Sequence, residues 1–179
     1  SESIHSIMCK SLEEKDIYND QSISALKDVL FGKKLSYNFD NVKENKLGKT
    51  SGQIVGGNLT LLHCLIGSKS SINTDNKILF IEDLGEYLYH IDRMLVSLKR
   101  AGYFDNCKGL IVGDFTDLRK NTTPFGKSLK EIILDAVKEF DFPVLFDFPA
   151  GHEKINMPII LGRDITMDIN SSKSSINFL

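Results

Sequence analysis

Residues 79–86, LFIEDLGE, join an apolar run to two adjacent carboxylates, Glu82 and Asp83. Residues 78–81 are all apolar, which is typical of a strand that is covered on both faces of a sheet. Beyond the carboxylates, large apolar residues recur at helical spacing up to Gly102, and this spacing predicts a helix. These residues are Leu88, Ile91, Leu95 and Leu98. A buried strand followed at once by a helix is the repeating unit of an α/β fold.

The same unit recurs along the chain. Further short apolar runs predict strands at residues 53–55, 110–112 and 144–146. Helical stripes follow two of them, at residues 59–66 and 129–140, and the first is joined to its strand by a predicted turn at residues 56–58. Strand–helix alternation with right-handed crossovers predicts a largely parallel core sheet.

The sequence patterns at both ends of the chain differ from the strand–helix pattern of this core. Residues 12–31 predict a helix that stops at Gly32, and residues 33–48 predict an entry segment or a short strand pair. The tail alternates apolar and polar residues on both sides of the turn NSSKSS, which predicts an antiparallel hairpin. The predicted fold class is therefore α/β, with a mostly parallel core sheet plus antiparallel strands.

Composition limits the kinds of partner. The chain has 179 residues and a net charge of −2, which gives no electrostatic reason to expect nucleic acid or an anionic membrane as a partner. No apolar run approaches the roughly 20 residues that span a bilayer. Three cysteines, an odd number without metal-like spacing, favour buried free thiols in a reducing compartment such as the cytoplasm.

Two polar residues follow predicted buried strands. Glu82 ends one strand, and His152 lies in the loop PAGHEKINMP after another. Open α/β sheets place their ligand sites at the carboxyl ends of strands, and a carboxylate that orients an imidazole is the rear half of a hydrolytic triad. On pattern alone a structural role is the commoner one, in which the Glu-Asp pair caps a helix and His152 is a surface residue.

Other candidate sites are weaker. Gly56-Gly57-Asn58 is similar to a phosphate-binding turn, which would suit a nucleotide, but it lacks a full glycine-rich fingerprint and a following lysine. Close packing of helix on strand is the competing explanation. His63 is expected at a core boundary and His90 on a helix surface. No His, Cys, Asp and Glu cluster has the spacing of a zinc site, so no metal or cofactor is predicted.

Four stretches, taken in order, resemble the LD-carboxypeptidase family of serine peptidases, which includes murein tetrapeptide carboxypeptidases and microcin self-immunity proteins. They are GQIVGGNLTLLHCLIG (52–67), ILFIEDLGEYLYHIDRML (78–95), AGYFDNCKGLIVGDF (101–115) and FPAGHEKINMPIILG (148–162). The resemblance covers residues 52 to the end and implies a C-terminal domain of swivelling β/β/α type. It also implies a Ser–Glu–His triad, with its Glu at Glu82 and its His at His152. Glu86 is the rival carboxylate, and placement at the strand end favours Glu82.

The chain departs from the family pattern at the nucleophile. The family's serine lies in a Gly-Tyr-Ser-Asp-like stretch that is absent here, and IHSIM (4–8) resembles the His-Gly-Pro-like segment that follows it. We therefore expect residues 35–179 to form the C-terminal domain, and residues 1–34 to be a connector or the tail of a missing N-terminal domain. That domain would be a partner of this chain, and the chain alone is expected to be inactive.

The resemblance implies a cytoplasmic enzyme that removes the terminal D-alanine from murein tetrapeptide during peptidoglycan recycling. In the immunity branch, the substrate would instead be a toxic peptidyl-nucleotide. A non-catalytic binding module with the same fold is the alternative from another functional class. Family members are often homodimers, although no feature of this sequence identifies an interface.

Overall fold

A computed structural model of the chain describes residues 1–6, 17–120 and 122–179, of which residues 17–20 are described by their backbone alone. The strands are β1 (Ser3–His5), β2 (Ser36–Asp40), β3 (Gly48–Asn58), β4 (Ile78–Leu84), β5 (Gly109–Thr116), β6 (Val144–Leu145), β7 (Ile159–Leu161), β8 (Asp164–Ile169) and β9 (Lys173–Phe178). The helices are α1 (Ile17–Leu30), α2 (Leu59–Cys64), α3 (Leu88–Arg100) and α4 (Leu129–Val137).

Seven strands form one mixed sheet in the order β2-β9-β8-β3-β4-β5-β6. Strands β3 to β6 pair in parallel, whereas β2, β9, β8 and β3 pair antiparallel to their neighbours. The predicted fold class is confirmed: a parallel core of strand–helix units is extended by antiparallel strands. The predicted hairpin is the β8–β9 pair.

Strand β4 is apolar on both faces because each face packs on a separate core. Leu79 and Ile81 belong to the cluster that buries α2, α3 and α4, while Ile78 and Phe80 belong to the cluster on the other side. All four side chains are fully buried. The strand is therefore fixed from both sides, and the residues at its carboxyl end have little freedom to move.

The predicted turn at residues 56–58 is wrong, because these residues continue β3 to Asn58. Gly56 lies opposite Phe80 in the β3–β4 pair. A Cβ at position 56 would lie 1.9 Å from the Phe80 carbonyl oxygen, and the φ of +135° is one that residues with a side chain rarely adopt. Glycine is therefore needed for close approach of two strands, and not for a turn. Asn58 is the N-cap of α2, as predicted.

At the chain ends, β1 and β7 were not predicted from the sequence, whereas the prediction for residues 33–48, an entry segment or a short strand pair, holds in part. Strands β1 and β7 form a separate antiparallel pair, and residues 33–48 provide β2 and the first residue of β3. The helix predicted at 12–31 is described from Ile17 to Leu30, and the start of the prediction lies outside the described residues. Helix α4 ends at Val137, before the predicted limit of 140.

The cysteine prediction holds in part. Cys107 is buried and free, as expected, but Cys64 is free and exposed, because it lies at the end of the short helix α2. Cys9 is outside the described residues. Within the described ranges, no helix is both long enough and apolar enough to cross a bilayer.

Candidate active site

The site lies at the carboxyl end of β4, where two adjacent carboxylates are almost completely buried. Glu82 is 1% exposed and Asp83 is 2% exposed. A register shift in the β4–β5 pair occurs between Ile81 and Asp83, at the point where the strand passes from apolar residues to acidic ones. Charged groups are seldom buried so deeply without partners, so the partners of each carboxylate indicate its role.

Asp83 has a structural role on the side of α2. Its carboxylate accepts hydrogen bonds from Asn58 Nδ2 at 2.9 Å, from the Thr60 backbone N–H at 3.0 Å and from the Thr60 hydroxyl at 2.8 Å. The backbone N–H of Leu84 donates a fourth bond at 2.9 Å. The capping interpretation of the Glu-Asp pair therefore applies to Asp83, but the helix that it caps is the preceding α2 and not the following α3.

Glu82 contacts His152 on the opposite side. His152 Nδ1 lies 2.8 Å from Glu82 Oε2, although 70 residues separate the two in sequence. Because the carboxylate is the acceptor, the ring donates through Nδ1–H, and Nε2 is left as the nitrogen for proton transfer. The His152 side chain is 31% exposed, so solvent reaches the residue whose partner is buried. The structure thus brings together the two residues that the sequence singled out.

The rival carboxylate is paired elsewhere. Glu86 Oε2 lies 2.8 Å from Nδ1 of His90, one helical turn further along. Among the described contacts of His152, the carboxylate partner is Glu82. His90 lies on α3, as predicted, and His63 is half-buried on α2 at the expected boundary.

The loop that carries His152 is held against the end of β5. The backbone N–H of Asp114 donates to Ala150 O at 2.9 Å, and a Cβ on Gly113 would lie 2.2 Å from that same oxygen. Buried Asn156 closes the loop, since its side chain donates to Gly151 O at 2.6 Å and accepts from Gly151 N at 3.3 Å. The two residues before His152, Ala150 and Gly151, are therefore both held by hydrogen bonds to their backbone groups.

A second imidazole faces Glu82. His5 Nε2, on β1, lies 3.8 Å from Glu82 Oε1, within ion-pair range but too far for a hydrogen bond. Burial by itself would raise the pKa of Glu82, but the imidazoles of His5 and His152 outweigh it and hold the pKa below its ordinary value. Glu82 is thus ionised at neutral pH, as a carboxylate that stabilises an imidazolium must be.

Asp114 has the opposite electrostatic environment. Burial, together with the nearby charges of Glu153, Asp147 and Glu82, raises the pKa of Asp114 to about 6, while His152 acts in the other direction. Its Oδ2 is buried and has no hydrogen-bond partner among the described residues. Asp114 lines a cleft of about 400 Å³ beside the His152 loop.

Sequence reasoning missed His5 and Asp114 as members of this region. His5 was noted only within IHSIM, and the short strand that carries it has no apolar pattern of its own. Asp114 could have been found by the rule that identified Glu82, because it also lies near the carboxyl end of a buried strand. No group of three or more His, Cys, Asp or Glu in the described part of the chain is arranged to hold a metal ion.

Comparison with known proteins identifies the family to which this chain is similar. The profile described as the LD-carboxypeptidase C-terminal domain matches residues 51–167, more than half of the chain. A Rickettsia conorii protein named as a carboxypeptidase is 36% identical over 147 residues, which cover 78% of this chain and 44% of that protein. The "probable murein peptide carboxypeptidase" of Bacillus subtilis is 36% identical over 121 residues, 68% of this chain and 38% of that protein.

Solved structures agree on the fold. The crystal structure of muramoyltetrapeptide carboxypeptidase from Oxalobacter formigenes superimposes with a TM-score of 0.88 at 20% identity, covering 99% of this chain and 61% of that one. The chain spans less than half the length of the two curated relatives above. By the profile match and these identities, the chain belongs to the LD-carboxypeptidase family and contains its C-terminal domain.

Proposed function

We propose that this chain supplies the Glu and His of a Ser–Glu–His triad in a serine-type LD-carboxypeptidase that removes the terminal D-alanine from murein tetrapeptide. The observation that carries the proposal is the 2.8 Å contact between His152 Nδ1 and the buried carboxylate of Glu82. A buried, ionised carboxylate behind a partly exposed imidazole is the arrangement that a general base requires. Relatives named for murein peptides support the substrate class.

The proposed chemistry assigns one role to each residue. His152 Nε2 takes the proton from the serine hydroxyl as the serine attacks the carbonyl carbon of the scissile bond. The same proton then passes to the nitrogen of the departing D-alanine as the C–N bond breaks, and a water molecule repeats the sequence to release the acyl group. Glu82 keeps the proton of the resting imidazole on Nδ1 and stabilises the imidazolium. This chemistry makes no use of a cofactor.

The nucleophile is proposed to lie outside these 179 residues, in an N-terminal domain of the whole protein. Residues 35–179 would form the C-terminal domain and residues 1–34 the connector, although the described part of 1–34 also packs on this domain through β1 and α1. The chain alone would then be inactive, because a Glu–His pair has no hydroxyl to activate. Free Cys64 and Cys107 fit action in the cytoplasm, on muropeptides released for peptidoglycan recycling from the cell wall. A homodimer is also proposed.

The test is D-alanine release by the whole protein. We expect murein tetrapeptide to be converted to tripeptide and D-alanine, His152→Gln to abolish the reaction, and His63→Gln, on the outer helix α2, to leave it nearly unchanged. Cleavage of a peptidyl-nucleotide but not of tetrapeptide would replace this proposal with the immunity branch. Tetrapeptide binding without cleavage would instead identify a binding module.

A further inference from the structure

We infer that His5 is a positioning residue that holds the second oxygen of Glu82, so that the carboxylate is bracketed by two imidazoles, one on each oxygen. His5 Nε2 faces Oε1 at 3.8 Å and His152 Nδ1 binds Oε2 at 2.8 Å. The inference rests on the proposed function, because it gives Glu82 its role through His152. His5 itself would touch neither substrate nor the reacting atoms.

The position of His5 is set by the backbone and by packing. Strand β1 pairs antiparallel with β7, with His5 opposite Ile159. A two-bond ion pair between Glu2 and Arg163, at 2.7 and 2.9 Å, fastens the start of the same strand. The His5 ring then meets Phe80 edge-on, with 5.3 Å between ring centroids. Phe80 is two residues before Glu82 on the same face of β4, so a His5 ring that packs on Phe80 is also directed at the Glu82 carboxylate.

The environment of His5 leaves Nε2 as the nitrogen that can donate toward Glu82. His5 Nδ1 is buried and has no hydrogen-bond partner among the described residues. Nε2 is the ring nitrogen that faces Oε1, on the oxygen that His152 does not bind. His5 is therefore suited to direct an N–H at Oε1 and to polarise Glu82 from the side opposite His152.

A donor at Oε1 has two consequences for the Glu82–His152 pair. It lowers the affinity of the Glu82–His152 pair for a proton, because the donor already stabilises the negative charge of Glu82 before His152 takes up a proton. It also keeps the carboxylate from turning Oε2 away from His152. The 3.8 Å separation is longer than a hydrogen bond, and such contacts commonly tighten when substrate is bound.

Among the described residues, three titratable groups act on Glu82 from the elements packed around it. They are His5 from β1, His152 from the loop before β7, and Asp114 from β5, which interacts with Glu82 through charge. The adjacent Asp83 is engaged with α2. Removing the His5 donor therefore leaves Glu82 with His152 as its hydrogen-bonding partner. The negative charge of Asp114, which still favours proton uptake by the pair, is then no longer opposed by His5.

The test is an NMR titration of ¹⁵N-labelled histidine in this chain, which needs no activity. In His5→Phe, which keeps the ring against Phe80 but has no donor, we expect the pKa of His152 to rise by about 0.5 to 1 unit, a three- to tenfold change in proton affinity. His5→Gln, whose amide replaces the Nε2 donor, should keep the wild-type value within about 0.2 unit, whereas His5→Met, of similar length without a donor, should behave like Phe. His63 is the internal reference.

In the whole protein, the acidic limb of the kcat/KM profile should move to higher pH in His5→Phe and His5→Met by the same amount, and return in His5→Gln. The role of His5 would be overturned if the pKa of His152 stayed unchanged in His5→Phe and His5→Met. It would also be overturned if that pKa rose in His5→Gln as much as in those two variants. If the titration behaves as expected but the whole protein releases no D-alanine, the bracketing of Glu82 stands and the proposed function fails. If Phe does not fold, the Gln and Met pair decides the question.

Discussion

Replacing Asp83 by alanine should separate the two adjacent carboxylates into a structural one and a catalytic one. Asp83 is 2% exposed and accepts four hydrogen bonds, three of which tie the start of α2 to the end of β4. Asp83→Ala would leave the amide of Asn58, the backbone N–H of Thr60 and the backbone N–H of Leu84 without their acceptor. The free energy of unfolding should therefore fall strongly.

The size of the loss follows from the number and kind of these bonds. A hydrogen bond to a charged group contributes roughly 1.5–3 kcal/mol, and an unsatisfied buried donor costs about 1–3 kcal/mol. The four bonds share one acceptor, the Asp83 carboxylate, so their contributions are not additive. We expect a loss of about 3–5 kcal/mol, which is a large part of the roughly 5–15 kcal/mol that stabilises an ordinary domain.

Urea unfolding of the chain, followed by circular dichroism, measures this loss. With a slope of about 2 kcal/mol per molar urea, the midpoint should move down by about 2 M. Asp168→Ala, which removes a surface ion pair of 3.2 Å with Lys49, is the matched control and should change stability by less than about 1 kcal/mol. A loss below about 1 kcal/mol in Asp83→Ala would refute the capping role.

Two further perturbations act on the loop and cleft beside His152. Asp114→Asn should raise the free energy of unfolding by about 1–3 kcal/mol above pH 6. The pKa of Asp114 is raised from 3.8 to about 6 in the fold, so its ionisation destabilises the folded state and the gain should fade toward pH 4. Urea denaturation at both pH values measures this, and a gain that is the same at both would contradict it. Gly113→Ala should lower kcat of the whole protein at least about tenfold, because the new Cβ would lie 2.2 Å from Ala150 O and push the His152 loop outward; steady-state kinetics that match wild type would contradict this.

Strand–helix alternation was predictable because a strand buried on both faces is a continuous apolar run, whereas a helix buried on one face has apolar residues at helical spacing. Residues 78–81 had to be buried on both sides, and the structure shows a core on each side of β4. Positions 56–58 were misread because glycine pairs are typical of turns as well as of close strand approach. The difference lies in Phe80, whose carbonyl oxygen leaves no room for a Cβ and is distant in sequence.

The candidate site was predictable at the ends of strands and not beyond them. Glu82 and His152 each follow a buried strand, so the topology alone brings them to one edge. Whether the Glu-Asp pair served as a helix cap or in catalysis was an open question, since both roles use the same side chains. His5 could not be predicted to reach Glu82, because three residues of β1 have no periodic signal and their pairing with β7 is a long-range contact.

The measurement that tests the central claim most directly is the turnover of murein tetrapeptide by the whole protein carrying Glu82→Gln or Glu86→Gln. A neutral amide at position 82 leaves the imidazolium of His152 unstabilised and favours the wrong tautomer, so kcat should fall on the order of 10⁴-fold, as for the comparable change in a Ser-His-Asp triad. Glu86 pairs with His90 and not with His152, so Glu86→Gln should keep near-normal turnover. Near-normal turnover in Glu82→Gln together with abolished turnover in Glu86→Gln would contradict the account.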